Sequence, residues 1–257
     1  MSILFNQIVF GPIQSRRFGS SLGINLLPLD NKICNFNCIY CECGWTDLKS
    51  LKKKLFYSLK AIIEAVEIQF KVLIESKTYI DCITFAGNGE PTMHPSFFEI
   101  IEKIVLLRDI YFPDKKIVVL SNAALLGNSK VFKALQKVDL RVLKLDVGTS
   151  DFLLKINQPL SSKKIGWYIE KLKKFNGDLI IQTIFLRGNY EGQYIDNTQE
   201  SELKAWLFSL REIKPKLVMI YTIDRDTPAN SLENIHNETL ESIAEKVRNL
   251  GIDAKVY

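Results

Sequence analysis

Histidine and cysteine are scarce in this chain of 257 residues, which has two histidines and five cysteines. The two histidines, His94 and His236, are too few for a histidine-based metal site. A long apolar run behind a basic start is missing as well, and the N-terminal stretch MSILFNQIVFGPIQSRRFG has no small-residue cleavage site. We therefore expect a cytoplasmic protein that makes no membrane contact. In such a protein, clustered thiols more often bind metal or carry out redox chemistry than form disulfides.

Six short and nearly continuous apolar runs alternate with segments of helical periodicity. Such runs are typical of strands buried on both faces, as in a parallel sheet. The runs cover 22–28, 79–86, 117–121, 141–147, 179–186 and 217–223. Apolar positions recurring every three or four residues predict helices over 48–74, 96–110, 129–137, 161–175, 199–213 and 239–250. Six β/α units with right-handed crossovers predict an α/β fold, either a doubly wound sheet or a full or partial barrel.

Interdomain linkers and a strong charge imbalance are also missing. No Gly/Ser-rich stretch interrupts the alternation, so we expect a single domain over 1–257. It would consist of an N-terminal segment (1–21), a core (22–225) and a C-terminal helix and tail (226–257). The net charge of +5, from 34 basic and 29 acidic residues, is a mild excess that is compatible with an acidic partner.

The polar stretches of the chain follow the predicted strands. The cysteine cluster follows the first strand, GNGEPT (87–92) the second, and Ser121 closes the third. Lys144 and Asp146 lie late in the fourth strand, and TIDRDTP (222–228) ends the sixth. Because parallel strands end at one edge, we expect all of these residues on the same rim.

Three cysteines lie within eight residues, CNFNCIYC, at positions 34, 38 and 41. Soft sulfur ligands select zinc, copper(I) or an iron–sulfur cluster. A closed zinc site needs a fourth ligand, for which Cys43 is the nearby candidate. A [4Fe-4S] cluster on three thiolates instead leaves one iron open to a substrate or cofactor, so that Cys43 would stay off the cluster.

The loop Cys34-x3-Cys38-x2-Cys41, with Tyr40 before the last cysteine, resembles the signature of the radical S-adenosylmethionine (radical SAM) enzymes. GNGEP (87–91) resembles the motif of that family that binds the methionine amino group, with Asn88 in place of a more usual glycine. SNA (121–123) resembles the family's TNG-like strand end. KLD (144–146) lies where many members have an SLD-like, ribose-contacting segment, with Lys144 replacing a small hydroxyl residue.

The resemblance implies a partial (β/α)6 TIM-like barrel with parallel strands. It implies that Cys34, Cys38 and Cys41 bind a [4Fe-4S] cluster and that S-adenosylmethionine (SAM) chelates the open iron. An electron donor such as flavodoxin or ferredoxin would reduce the cluster, and SAM would be cleaved to methionine and a 5′-deoxyadenosyl radical that abstracts hydrogen from the substrate. Tyr40 would lie against the adenine, and the further cofactor contacts would be Asn88, Gly89, Glu90, Ser121, Asn122, Lys144 and Gln182.

Two stretches, VFGPIQSRRFGSSLGINLLP and YTIDRDTPA, resemble an Fe–S oxidoreductase subgroup related to the wyosine-type tRNA-modifying radical SAM proteins. Those tRNA enzymes carry a second cluster on extra cysteines, whereas this chain has only Cys43 and Cys82 to spare. We therefore expect neither a second cluster nor that tRNA reaction. RNA, a peptide and a small molecule are the substrate classes left open.

Several alternatives are open on the residues alone. The chain as a whole could instead be a non-catalytic zinc- or Fe–S-binding module that contacts nucleic acid. Lys144 and Asp146 face one side of their strand and form either a cofactor contact or a structural ion pair. Arg16 and Arg17 either bind an anionic group or form an exposed basic pair.

Overall fold

The computed structural model describes residues 3–47 and 56–257. The strands, numbered along the chain, are β1 (Val9–Ser15), β2 (Gly19–Ile24), β3 (Cys82–Phe85), β4 (Lys116–Ser121), β5 (Leu140–Lys144), β6 (Ile180–Phe185), β7 (Arg187–Tyr190), β8 (Gln193–Asp196), β9 (Leu217–Thr222), β10 (Leu232–Glu233) and β11 (Ala254–Val256). The helices are α1 (Leu59–Glu75), α2 (Phe97–Tyr111), α3 (Ser129–Lys137), α4 (Ile165–Lys173), α5 (Glu200–Ile213) and α6 (Asn237–Arg248).

The main sheet has eight strands in the order β1-β2-β3-β4-β5-β6-β9-β11. All neighbours pair in parallel except β1, which runs antiparallel to β2 at one edge. The six predicted strands are the consecutive series β2-β3-β4-β5-β6-β9, so the predicted parallel α/β fold is confirmed. Within residues 3–47 and 56–257, no pairing joins β1 to β11 and closes the sheet.

Helix α1 illustrates how the apolar period produces these elements. Ser58 caps its N-terminus by accepting a hydrogen bond from the Ala61 amide at 3.2 Å. Ile62, Val66 and Phe70 form its buried stripe at intervals of one turn. The predicted helix began at residue 48, and residues 48–55 lie outside the described part of the chain. No helix in the described residues is both long and apolar enough to span a bilayer.

The N-terminal segment forms a strand that the sequence did not predict. The glycine and the proline of FGPIQ interrupt the alternation expected of a strand, but an edge strand tolerates them because it is paired on one side only. Phe10 packs over Gly23, where an added Cβ would lie 2.1 Å from the aromatic ring. Because β1 runs antiparallel to β2, Val9 lies beside Ile24 at the carboxyl end of β2, whereas Arg16 and Arg17 lie in the turn at its amino end.

A second, three-stranded antiparallel sheet has the order β10-β7-β8. It follows β6 and was also not predicted, because its strands are two to four residues long. Between β5 and α4 the chain makes a short helical segment, Ser150–Phe152, that continues into a single π turn, Leu153–Asn157. This π turn lies next to the cysteine loop.

Candidate active site at the carboxyl ends of the strands

The cysteine loop is fastened on one side to the GNGEP loop. The Ile33 amide donates to the Asn88 carbonyl at 2.9 Å, and the Glu90 amide donates to the Ile33 carbonyl at 3.0 Å. Gly89, between them, has φ +130°, and a Cβ there would lie 2.0 Å from the Ile33 carbonyl oxygen. A glycine is thus required where the two predicted motifs meet.

On its other side the loop is fastened to the π turn and to the residues that follow it. The Ile39 amide donates to the Ile156 carbonyl at 3.0 Å, and the Leu160 amide donates to the Asn35 carbonyl at 2.9 Å. These backbone bonds hold the loop between two distant parts of the chain. The loop that carries the three cysteines is therefore held in a defined conformation.

The three clustered thiols line one cavity of about 170 Å³, called here the thiol cavity. Burial raises the pKa of Cys34 to about 12 and raises that of Cys38. The Cys43 thiol, chiefly through a hydrogen bond, and the Lys32 ammonium lower the pKa of Cys41. The donor set fits an iron–sulfur cluster, since soft sulfur ligands share one cavity with a cation beside them.

The thiols do not surround a single point. Among the residues that the structure describes, no three His, Cys, Asp or Glu side chains converge tightly enough to hold one metal ion. A cubane cluster does not need such convergence, because each thiolate binds a different iron.

Glu90 lines the thiol cavity and lies at the centre of a hydrogen-bond network. Glu90 Oε1 accepts hydrogen bonds from the Thr92 hydroxyl at 2.5 Å and the Ser121 hydroxyl at 2.8 Å. Its Oε2 accepts from the backbone amide of Asn122 at 2.7 Å. Burial raises the pKa of Glu90, and these donors oppose that shift. The structure thus brings together Glu90, Ser121 and Asn122, as the sequence predicted for strand ends on one rim.

Tyr40, Lys144 and Asp146 form a buried network that connects the cysteine loop to the end of β5. The Tyr40 hydroxyl donates to Asp146 Oδ2 and accepts from Lys144 Nζ at 2.6 Å, and Lys144 Nζ lies 3.3 Å from the same carboxylate oxygen. Burial lowers the pKa of Lys144, but the Asp146 carboxylate more than offsets this and raises it. Of the two alternatives left open by the sequence, the ion pair is present, and Lys144 also lines the thiol cavity, so that a cofactor contact stays a prediction.

Gln182 connects the thiol cavity to the N-terminal segment. Its Oε1 accepts from Arg17 at 2.7 Å, and the Arg17 guanidinium lies over the Tyr221 ring at 5.2 Å. Arg17 is thus not an exposed basic residue. Its neighbour Arg16 does lie at the surface, where it pairs with Asp224 at 3.3 Å.

A second cavity of about 300 Å³, called here the mouth cavity, opens beside the thiol cavity. Tyr40, Cys41 and Cys43 line both cavities. Arg16, Arg17 and Arg225 line the mouth cavity, and Arg225 pairs with Glu42 at 2.8 Å.

Asn88 is the predicted cofactor contact whose side chain the structure does not bring to the thiol cavity. The side chain is fully buried and is used within the fold. Its Nδ2 donates to the Phe5 and Pro28 carbonyls, both at 2.9 Å, and its Oδ1 accepts from the Phe5 amide at 2.8 Å. Asn88 therefore fastens the N-terminal segment, and it is the backbone of Gly87 and Gly89 that lines the cavity.

Two residues beside the thiols were missed by sequence reasoning. Lys32 is buried and lies two positions before Cys34. This closeness in sequence to the three cysteines was the signal that could have identified it. Burial would lower the pKa of Lys32, but the thiols of Cys41, Cys34 and Cys38 raise it. Asn157 reaches Cys38 from the π turn, for which the sequence gives no signal.

Known proteins resemble this chain in sequence and in fold. The family model of the radical SAM superfamily matches residues 31–198. A protein named GTPase Obg from Brachyspira hyodysenteriae is 30% identical over 237 residues, which are 91% of this chain and 32% of that protein. A UPF0026 protein from Helicobacter pylori is 31% identical over 238 residues, 91% of this chain and 72% of its own. This chain thus spans about a third of the first relative and most of the second.

Solved structures show the same fold at low sequence identity. A radical SAM methyltransferase from Sphaerobacter thermophilus aligns with a TM-score of 0.67 over 92% of this chain and 65% of its own, at 14% identity.

Proposed function

This chain belongs to the radical SAM superfamily of enzymes, and we propose that it cleaves SAM reductively at a [4Fe-4S] cluster bound by Cys34, Cys38 and Cys41. The single observation that carries the ligand assignment is that these three thiols share one cavity with Glu90 and Lys144 from two further strand ends. When bound and reduced, the cluster supplies the electron that cleaves SAM to methionine and a radical able to abstract hydrogen.

The residues around the thiol cavity divide into those that bind SAM and those that orient its binders. The Glu90 carboxylate accepts a hydrogen bond from the methionine ammonium, and Ser121 and Asn122 fix its rotamer through the bonds described above. Gly89 allows the cofactor to approach the backbone. Gln182, which lines the same cavity, is a further proposed polar contact for SAM.

Tyr40 lies at the boundary of the two cavities, where SAM and substrate would meet. Its ring is the proposed contact for adenine, and its hydroxyl is fixed by Lys144 and Asp146. Together with Asn157 Nδ2, which also donates to this hydroxyl at 3.3 Å, these partners hold the ring in a single orientation.

The mouth cavity is the proposed substrate site, because it adjoins the thiol cavity through Tyr40, Cys41 and Cys43. Arg17 faces it with a planar guanidinium whose polar partner is the neutral Gln182. Arginine matches the geometry of carboxylates and phosphates, so we propose a substrate that carries an anionic group. RNA is one such substrate, and the resemblance to the wyosine-type subgroup stays a prediction.

Anaerobic reconstitution tests the proposal. The protein is loaded with iron and sulfide, reduced with dithionite and incubated with SAM, and 5′-deoxyadenosine is measured by liquid chromatography. We expect about four irons per chain and formation of 5′-deoxyadenosine. A protein that instead binds one zinc ion and forms no 5′-deoxyadenosine would be the metal-binding module of the alternative hypothesis.

A further inference from the structure

Two of the candidate ligand sulfurs each lie next to the amide nitrogen of a buried asparagine. Asn122 Nδ2 is 3.6 Å from Cys34 Sγ, and Asn157 Nδ2 is 3.5 Å from Cys38 Sγ. Asn122 follows β4 and Asn157 ends the π turn, so the two donors come from unrelated parts of the fold. Both side chains are at most 5% exposed.

The third sulfur, that of Cys41, has a cation near it rather than an amide. Lys32 and Cys41 line the same cavity, and the Lys32 charge helps to lower the pKa of the Cys41 thiol. A hydrogen bond from Lys32 Nζ to the Gly44 carbonyl at 2.7 Å fixes the ammonium on the loop. The lysine side chain is buried, so its positive charge is poorly screened by solvent.

The asparagines are fixed by second contacts as well. Asn122 Nδ2 also donates to Asn35 Oδ1 at 2.7 Å, and its own Oδ1 accepts from the Ala124 amide at 3.0 Å. Asn157 Nδ2 also donates to Asp146 Oδ2 at 2.6 Å. Each nitrogen is therefore held in place whether or not a cluster is bound.

Hydrogen bonds to cluster sulfurs and nearby charges set the reduction potential of an iron–sulfur cluster. Reduction adds one electron and thereby increases the negative charge on the sulfurs. N–H donors and an ammonium stabilise the reduced form more than the oxidised form. Amide donors at Cys34 and Cys38, together with the buried ammonium of Lys32 in the same cavity, thus shift the equilibrium toward reduction.

We infer that Lys32, Asn122 and Asn157 form a nitrogen-donor shell that raises the reduction potential of the cluster, so that a cellular electron donor can reduce it. The three are positioning residues that act through the thiolates. This inference rests on the proposed function, because it requires a cluster on the three cysteines.

The test is a redox titration of the reconstituted, SAM-free protein, with dithionite and mediators, followed by electron paramagnetic resonance. The variants are Asn122→Leu, which removes a donor, and Lys32→Met, which removes the charge; Lys32→Arg restores the charge. Asn197→Leu is the matched control. Asn197 is equally buried and makes three hydrogen bonds, all to backbone groups of Leu186, Asp146 and Ile184.

We expect Asn122→Leu and Lys32→Met each to reduce the equilibrium constant for one-electron reduction about tenfold, a fall of about 59 mV in potential. Lys32→Arg and Asn197→Leu should retain the wild-type potential. Unchanged potentials in both test variants, or an equal fall in Asn197→Leu, would overturn the donor shell. If Lys32→Met binds no iron, Asn122→Leu decides alone. Absence of any cluster in the wild-type protein would reject the proposed function itself, which separates the two failures.

Discussion

Substituting Gly89 with alanine tests the contact between the GNGEP loop and the cysteine loop. The added Cβ would lie 2.0 Å from the Ile33 carbonyl oxygen and 2.6 Å from the carbonyl carbon, so the backbone of one loop must move. The φ of +130° is itself unfavourable for alanine, at about 1–3 kcal/mol. The movement would also break the Ile33–Asn88 and Glu90–Ile33 backbone bonds, each worth about 0.5–1.5 kcal/mol. We expect the free energy of unfolding to fall by about 4 kcal/mol.

Anaerobic urea unfolding and the iron content of the purified protein measure this effect. Gly166→Ala is the matched control, because a Cβ at Gly166, in α4, has no other atom within 4 Å. That variant should be neutral or stabilised by up to about 1 kcal/mol, with full iron content. Gly89→Ala should also lose iron, since Ile33 directly precedes Cys34. A Gly89→Ala protein that unfolds like the control and keeps its iron would refute the described contact.

Three further predictions concern buried ionisable groups. Asp146→Ala should lower the free energy of unfolding by about 3–5 kcal/mol in urea titrations, because it leaves the Lys144 ammonium buried without its carboxylate; a loss below about 1 kcal/mol would contradict the ion pair. Glu90→Gln should weaken SAM binding about tenfold in calorimetry, since a hydrogen bond to a charged group is worth about 1.5–3 kcal/mol, and an unchanged affinity would exclude the proposed ammonium contact. Burial lowers the pKa of His94, whose Nδ1 accepts from the Ser96 amide at 3.1 Å. The neutral form of His94 therefore stabilises the fold above the unfolded-state pKa of about 6.5, and the free energy of unfolding should fall as the pH drops below that value. In His94→Gln this fall should be smaller. Equal pH dependence of the free energy of unfolding in the wild type and in His94→Gln would contradict the prediction.

The core strands and helices could be predicted because each has one dominant signal. The strands of the parallel sheet are buried on both faces and read as continuous apolar runs, as in Ile180–Phe185. Helix α3 was predicted with its observed bounds, since Asn128 caps it and its apolar stripe is narrow. β1 escaped prediction because Gly11 and Pro12 look like a turn, although the strand needs a partner on one side only.

Site residues that belong to short motifs at strand ends could be predicted from the sequence. Residues that reach the site from distant segments could not. Cys34 and Glu90 follow strands of one parallel sheet and Ser121 ends another, so topology alone brings them to one rim. Asn157 lies 119 residues from Cys38 and reaches it through a π turn, which no local pattern predicts. The GNGEP motif predicts Asn88 as a cofactor contact and gives no signal that its side chain forms hydrogen bonds to the backbone of Phe5 and Pro28.

The central claim is that three thiolates, and not a fourth, hold the cluster at which SAM is cleaved. The most direct measurement compares 5′-deoxyadenosine formation and iron content in single alanine variants after identical anaerobic reconstitution. Cys34→Ala, Cys38→Ala and Cys41→Ala should each lose the cluster and the product. Cys82→Ala, in the apolar part of the sheet, and Cys43→Ala should retain both. Product formation by Cys38→Ala, or loss of the cluster in Cys43→Ala, would contradict the assignment.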